Sequence, residues 1–102
     1  MAKLNVIVDL CVIPIGSGVS VSNEIAEVQK ILRGSGLHTQ MHAYGTNIEG
    51  EWDDVMRVIK KCHETLHAQG VARISSSLKI GTRTDKVQSM KDKITAVESK
   101  LS

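Results

Sequence analysis

The residues best suited to chemistry lie in one short stretch, Gly45-Thr46-Asn47-Ile48-Glu49-Gly50, which runs straight into Glu51-Trp52-Asp53-Asp54-Val55. It offers a hydroxyl, an amide and a carboxylate in close succession. Side chains alternate along a strand, so Thr46 and Ile48 share one face and Asn47 and Glu49 the other. With Ile48 turned into a core, Glu49 points out of it. Glu49 together with Asp9 would make an acid/base pair. No Ser-His-Asp or Cys-His arrangement can be singled out by spacing, however, so no nucleophile or reacting group is identified.

Other motifs carry weaker signals. His63-Glu64-Thr65-Leu66-His67 matches the H-E-x-x-H zinc-protease spacing on a predicted helix. A catalytic zinc needs a third protein ligand, and no histidine follows His67. Leu66, on the apolar stripe, would press both histidines toward the sheet, so an ordinary helix end is the favoured reading. His38 and His42, four apart on a strand, share a side and with Asp9 or Glu49 could hold a metal. Polar surface is the more ordinary explanation. Gly16-Ser17-Gly18 resembles a phosphate cradle only loosely, lacking the Walker lysine. Thr82-Arg83-Thr84-Asp85-Lys86 is a better anion candidate, with Thr82, Arg83 and Thr84 at an expected helix start. A helix cap with local salt bridges is the favoured reading.

These residues must be positioned by a single domain spanning 1–102, long enough for one core. The formal net charge of +2 is made of mixed signs and gives no basic stripe. Tyr44 and Trp52 are the only aromatics, so no stacking platform for nucleic acid exists. No run is long enough to span a bilayer, and Met1-Ala2-Lys3-Leu4-Asn5 reads as a strand rather than a signal peptide. Neither nucleic acid nor membrane is an expected partner, no cofactor is implied, and a cytoplasmic protein is the default. Cys11 and Cys62 read as free, small apolar residues.

Leu4, Val6, Val8, Leu10 and Val12 alternate along a first strand, which Pro14 is expected to end. A serine-capped helix follows from Ser20-Val21-Ser22-Asn23-Glu24, with the stripe Val21, Ile25, Val28, Ile31 and Leu32. Leu37 to Ala43 makes a second strand, joined to the Thr46–Glu49 strand through a turn at Tyr44-Gly45. Trp52, Val55, Met56, Ile59, Cys62 and Leu66 mark the longest helix, and a last strand lies between Val71 and Thr82. Thr84 or Asp85 is expected to cap a final helix whose seam, Val87, Met90, Ile94, Val97 and Leu101, suits an edge or a partner helix. The order predicts an α+β, ferredoxin-like βαββαβ sandwich: a four-stranded antiparallel sheet with helices on one face, plus a C-terminal helix. The other face would collect Asn5, Asp9, Cys11, His38, Gln40, His42, Asn47, Glu49, Arg73, Ser75, Ser77 and Lys79, a polar surface suited to a ligand or a second subunit.

Three segments together carry a family resemblance: Asp9-Leu10-Cys11-Val12-Ile13-Pro14-Ile15-Gly16, then Gly45 to Val55, then Lys79-Ile80-Gly81-Thr82-Arg83-Thr84-Asp85-Lys86. In that order they resemble the thiamine-binding protein family, in its fungal-type single-domain form. The resemblance implies a ferredoxin-like subunit assembled into dimers and tetramers, cytoplasmic location, and binding of thiamine or its hydroxymethylpyrimidine part without a known reaction. The family motif maps onto Thr46, Asn47 and Glu49. On this basis Glu49 would pair with the amino group, Asn47 and Thr46 would orient the ring, and Asp9 and His42 would complete the wall. Tyr44, ahead of Trp52, would add an aromatic surface. The alternatives are an oligomeric regulatory protein with its anion site at Thr82, Arg83 and Thr84, and an enzyme of thiamine salvage.

Overall fold

The computed structural model describes residues 3–16, 18 and 20–101. Met1 and Ala2 of the expected N-terminal strand, and Ser17 of the expected Gly16-Ser17-Gly18 turn, lie outside the described residues; Lys3 and Leu4 precede the first strand, which begins at Asn5. The elements are β1 (Asn5–Ile15), α1 (Ser22–Arg33), β2 (His38–His42), β3 (Gly45–Glu51), α2 (Trp52–Ala68), β4 (Arg73–Thr82) and α3 (Met90–Leu101). The strands form one antiparallel sheet in the order β2-β3-β1-β4, which is the expected α+β, ferredoxin-like architecture.

The core follows from the period-two pattern of β1. Val6, Val8, Leu10 and Val12 pack with Ile48 of β3 beneath Val28 and Leu32 of α1 and Val55, Ile59, Cys62 and Leu66 of α2. Burying each large aliphatic side chain contributes about 1.5–3 kcal/mol, which is why β1 occupies the sheet interior. At the β3–α2 junction the Glu51 carboxylate accepts the Asp53 and Asp54 amides at 2.8 and 3.2 Å. That cap lets a strand turn into a helix with no intervening loop.

Four local expectations are corrected. Pro14 does not end β1, which runs on to Ile15. Pairing with β3 stops at Leu10, so the proline sits where only β4 flanks the strand and one edge is open. The expected serine cap of α1 is not made: Val21 holds the N-cap position, and the Ser20 hydroxyl lies 3.4 Å from that of Ser22. The hairpin turn is Ala43-Tyr44, with His42 paired to Gly45 and Gly45 already in β3. Finally, α3 starts at Met90 rather than near Thr84 or Asp85. Ser89 and Asp92 cap it reciprocally, each side chain accepting the other's amide at 3.0 Å.

Leu78 and Ile80 of β4 lie on the helix side of the sheet, yet remain 36% and 41% exposed, because α1 and α2 sit over the other strands. Among the described residues no helix is long and apolar enough to cross a membrane.

Candidate functional site

The face of the sheet away from α1 and α2 is ordered by strand register. One row runs Gln40, Asn47, Asp9, Lys79 across β2, β3, β1 and β4. The next runs His38, Glu49, Ile7, Gly81. The sequence-predicted Asp9, Asn47 and Glu49 therefore do share a face.

His42 joins them. Its Nε2 lies 2.7 Å from Asp9 Oδ1, although Asp9 and His42 stand on strands separated by β3. The imidazole passes beside Gly45, its partner in β3, which carries no side chain. A Cβ added at Gly45 would strike the Leu10 carbonyl oxygen, so glycine also permits the close approach of β3 to β1. The Tyr44 amide donates to His42 Nδ1 at 3.3 Å. With Nδ1 accepting, Nε2 carries the hydrogen and donates to Asp9. Asp9 Oδ2 and the half-buried Asn47 amide have no hydrogen-bond partner among the described residues, so a vacant acceptor and a vacant amide lie next to each other.

Two predicted members stand differently from expectation. Thr46 is 2% exposed and belongs to the helix side, where its Oγ1 accepts from Gln29 Nε2 at 2.6 Å. Strand alternation separates it from Asn47 and Glu49, so it cannot help them orient one ring from the same side. It lines instead a cavity of about 360 Å³ at the hairpin end of the sheet, with Gln29, Cys11, Met41, His42 and Tyr44. This cavity exists because β1 continues past its pairing with β3. Gln29 was missed from sequence; a polar residue four after Ile25 on the apolar stripe of α1 was the available signal. Glu49 lies on the open face as expected, but its Oε2 accepts the Met90 amide at 2.9 Å. Tyr44 is 87% exposed, whereas Trp52 packs against the core.

The proposed anion site at a helix start is not built. With α3 beginning at Met90, Thr82, Arg83 and Thr84 precede it by several residues. Arg83 is also engaged, forking onto Asp85 at 2.6 and 2.8 Å and reaching Gln88 at 2.7 Å. That fork pulls the Asp85 carboxyl down to about 2. His63 bonds Ser76 of β4 and His67 bonds the Val71 carbonyl, each at 2.7 Å, so both face protein groups. Among the described residues no group of three His, Cys, Asp or Glu side chains is placed to hold a metal. Both cysteines are free; Cys62 is fully buried, and that burial pushes its thiol up to about 11.

Comparison with known proteins gives a consistent result. The sequence model described as thiamine-binding protein matches residues 8–98. The chain is 56% identical over 98 residues to UPF0045 protein sll0230 of Synechocystis, covering 96% of this chain and 81% of that one. It is 47% identical over 103 residues to UPF0045 protein ECM15 of Eremothecium gossypii, covering 100% and 98%. The crystal structure of protein MJ1052 from Methanocaldococcus jannaschii superposes with a TM-score of 0.84 at 32% identity, over 92% of this chain and 96% of that one. A Thermotoga maritima structure described as that of a candidate thiamine biosynthesis/salvage protein superposes with a TM-score of 0.78 at 19% identity, over 91% and 98%, a likeness of fold.

Proposed function

The chain belongs to the thiamine-binding protein family, and from that premise we propose that it holds thiamine, or its hydroxymethylpyrimidine part, on the open face of the sheet without turning it over. The single observation that carries this reading is the Asp9–His42 pair beside the unengaged Asn47 amide. An aminopyrimidine presents an amino donor and ring-nitrogen acceptors. The Asp9 and Glu49 carboxylates stand in adjacent rows, and each has a vacant oxygen for one of the two amino N–H groups, while the Asn47 amide N–H donates to a ring nitrogen. The positive thiazolium is attracted by Asp9, and Tyr44 can stack on it with a cation–π contribution of roughly 0.5–2 kcal/mol. The hairpin-end cavity adjoins the same histidine and offers the remainder of the molecule an apolar recess with Thr46 and Gln29 as polar handles.

Self-association into dimers and tetramers belongs to the same proposal. Ile94, Val97 and Leu101 form an exposed seam on α3, and Leu78 and Ile80 are exposed on β4. A second copy would remove these from water at a gain of about 25 cal/mol per Å². A cytoplasmic setting is the one in which both thiols stay reduced.

Isothermal titration calorimetry with thiamine and with hydroxymethylpyrimidine tests the binding. Saturable heat is expected, with affinity weakened tenfold or more by Asp9→Asn; no heat with either compound from a folded protein refutes the reading. Mass spectrometry of the ligand after prolonged incubation should find it unchanged, and native mass spectrometry should report two or four copies.

A further inference from the structure

Glu49 is attached to a distant element. Its Oε2 accepts the amide of Met90, 41 residues away in sequence and the first residue of α3. The Met90 side chain is 6% exposed but stands outside the core cluster between the sheet and α1/α2. The start of α3 therefore lies over the open face, at the row His38, Glu49, Ile7, Gly81. To arrive there from β4, the segment after Thr82 crosses β1, a lateral path of two strand spacings or roughly 10 Å.

The rest of α3 is held by little. Residues 91–101 are all exposed, and α3 makes no extensive contact with any other element. Among the described residues, the first turn of α3 is anchored by the Met90 side chain and the Glu49 carboxylate. That carboxylate satisfies one first-turn amide which a helix cannot satisfy itself, and it sits at the positive end of the helix dipole. Ser89 and Asp92 occupy each other, so neither replaces it. Glu49 Oε1 has no hydrogen-bond partner among the described residues. A carboxylate has room for several donors, so one oxygen can hold the helix while the other stays free, one row from Asp9 and Asn47 on the same face.

We propose that Glu49 moors α3 to the ligand face, and that a ligand amino group taking the second oxygen of the same carboxylate tightens α3 against the sheet. Mooring restricts the carboxylate to one orientation before the ligand arrives, which lowers the ordering cost of binding. By linkage, occupancy then favours the moored helix to the same extent. The coupling rests on the thiamine-binding reading above; the mooring itself does not.

Hydrogen-exchange mass spectrometry, run alongside calorimetry, separates the two. In the ligand-free protein, Glu49→Ala should speed exchange of the first α3 amides by tenfold or more, with Glu49→Gln in between because its amide oxygen still accepts. Met90→Ala leaves Glu49 intact and should speed the same amides. Should Glu49→Ala prove unfolded, Glu49→Gln and Met90→Ala carry the comparison. In the wild type, saturating thiamine should slow α3 exchange at least threefold. Unchanged α3 exchange in these variants overturns the mooring. Calorimetric binding of thiamine with unchanged α3 exchange overturns the coupling alone. Absence of calorimetric binding overturns the proposed function, and the coupling with it, while the mooring is still decided by the ligand-free comparison.

Discussion

The Asp9 carboxylate of β1 and the His42 imidazole of β2 meet at 2.7 Å across an intervening strand, and they can do so because that strand presents Gly45 between them. This places a carboxylate with a partnered and a vacant oxygen in the middle of a polar sheet face. The pair is half-exposed, with side chains 36% and 46% accessible, so its worth is in positioning rather than in stability.

Replacing either partner should therefore separate binding from folding. Asp9→Asn and His42→Ala are expected to weaken thiamine by tenfold or more, about 1.4 kcal/mol, while changing stability by less than about 1 kcal/mol. Calorimetry and urea unfolding on the same samples check this. Loss of stability without loss of affinity would assign the pair to folding instead.

Gly45→Ala should act through the backbone. The new Cβ would meet the Leu10 carbonyl oxygen, which belongs to the central strand and cannot move aside. A cost of about 1–3 kcal/mol is expected, as for other overpacked sites. The denaturant midpoint reads it, and a near-neutral result would show that β3 can shift away from β1.

Thr46→Val tests the hairpin-end cavity. It leaves the Gln29 amide without its buried acceptor, a loss of about 1–3 kcal/mol of stability. If the ligand enters that cavity, affinity falls as well. If it uses the open face alone, calorimetry on the folded variant should match the wild type.

The two thiols should behave differently. Cys11 is half-buried and Cys62 fully buried, so a disulfide reagent at pH 8 should modify one thiol per chain quickly and the second only on unfolding. Burial raises Cys62 from its ordinary 9.0 to about 11. Between those values the unfolded chain releases a proton that the folded chain keeps. Stability should accordingly be indifferent to this group below pH 9 and fall as pH rises toward 11. Urea midpoints across that range, compared with those of Cys62→Ala, measure the slope.

Much of this was legible in the residues alone. Period-two and three-to-four spacing of Val6, Val8, Leu10, Val12, Val55, Ile59, Cys62 and Leu66 specified which faces had to leave water, and hence the element order and the sharing of one sheet face by Asp9, Asn47 and Glu49. The same alternation already put Thr46 on the opposite side. These features are local: they depend on where a side chain points within its own strand or helix. What only the tertiary structure decided is which distant groups meet. His42 reaches Asp9 over a glycine, Gln29 descends onto Thr46, Arg83 is taken by Asp85 and Gln88, and α3 begins five residues beyond Asp85 with its first amide on Glu49. Each of these is a competition among several groups for one hydrogen-bond partner. Spacing along the chain cannot settle such a competition, because its outcome depends on the distances that folding creates.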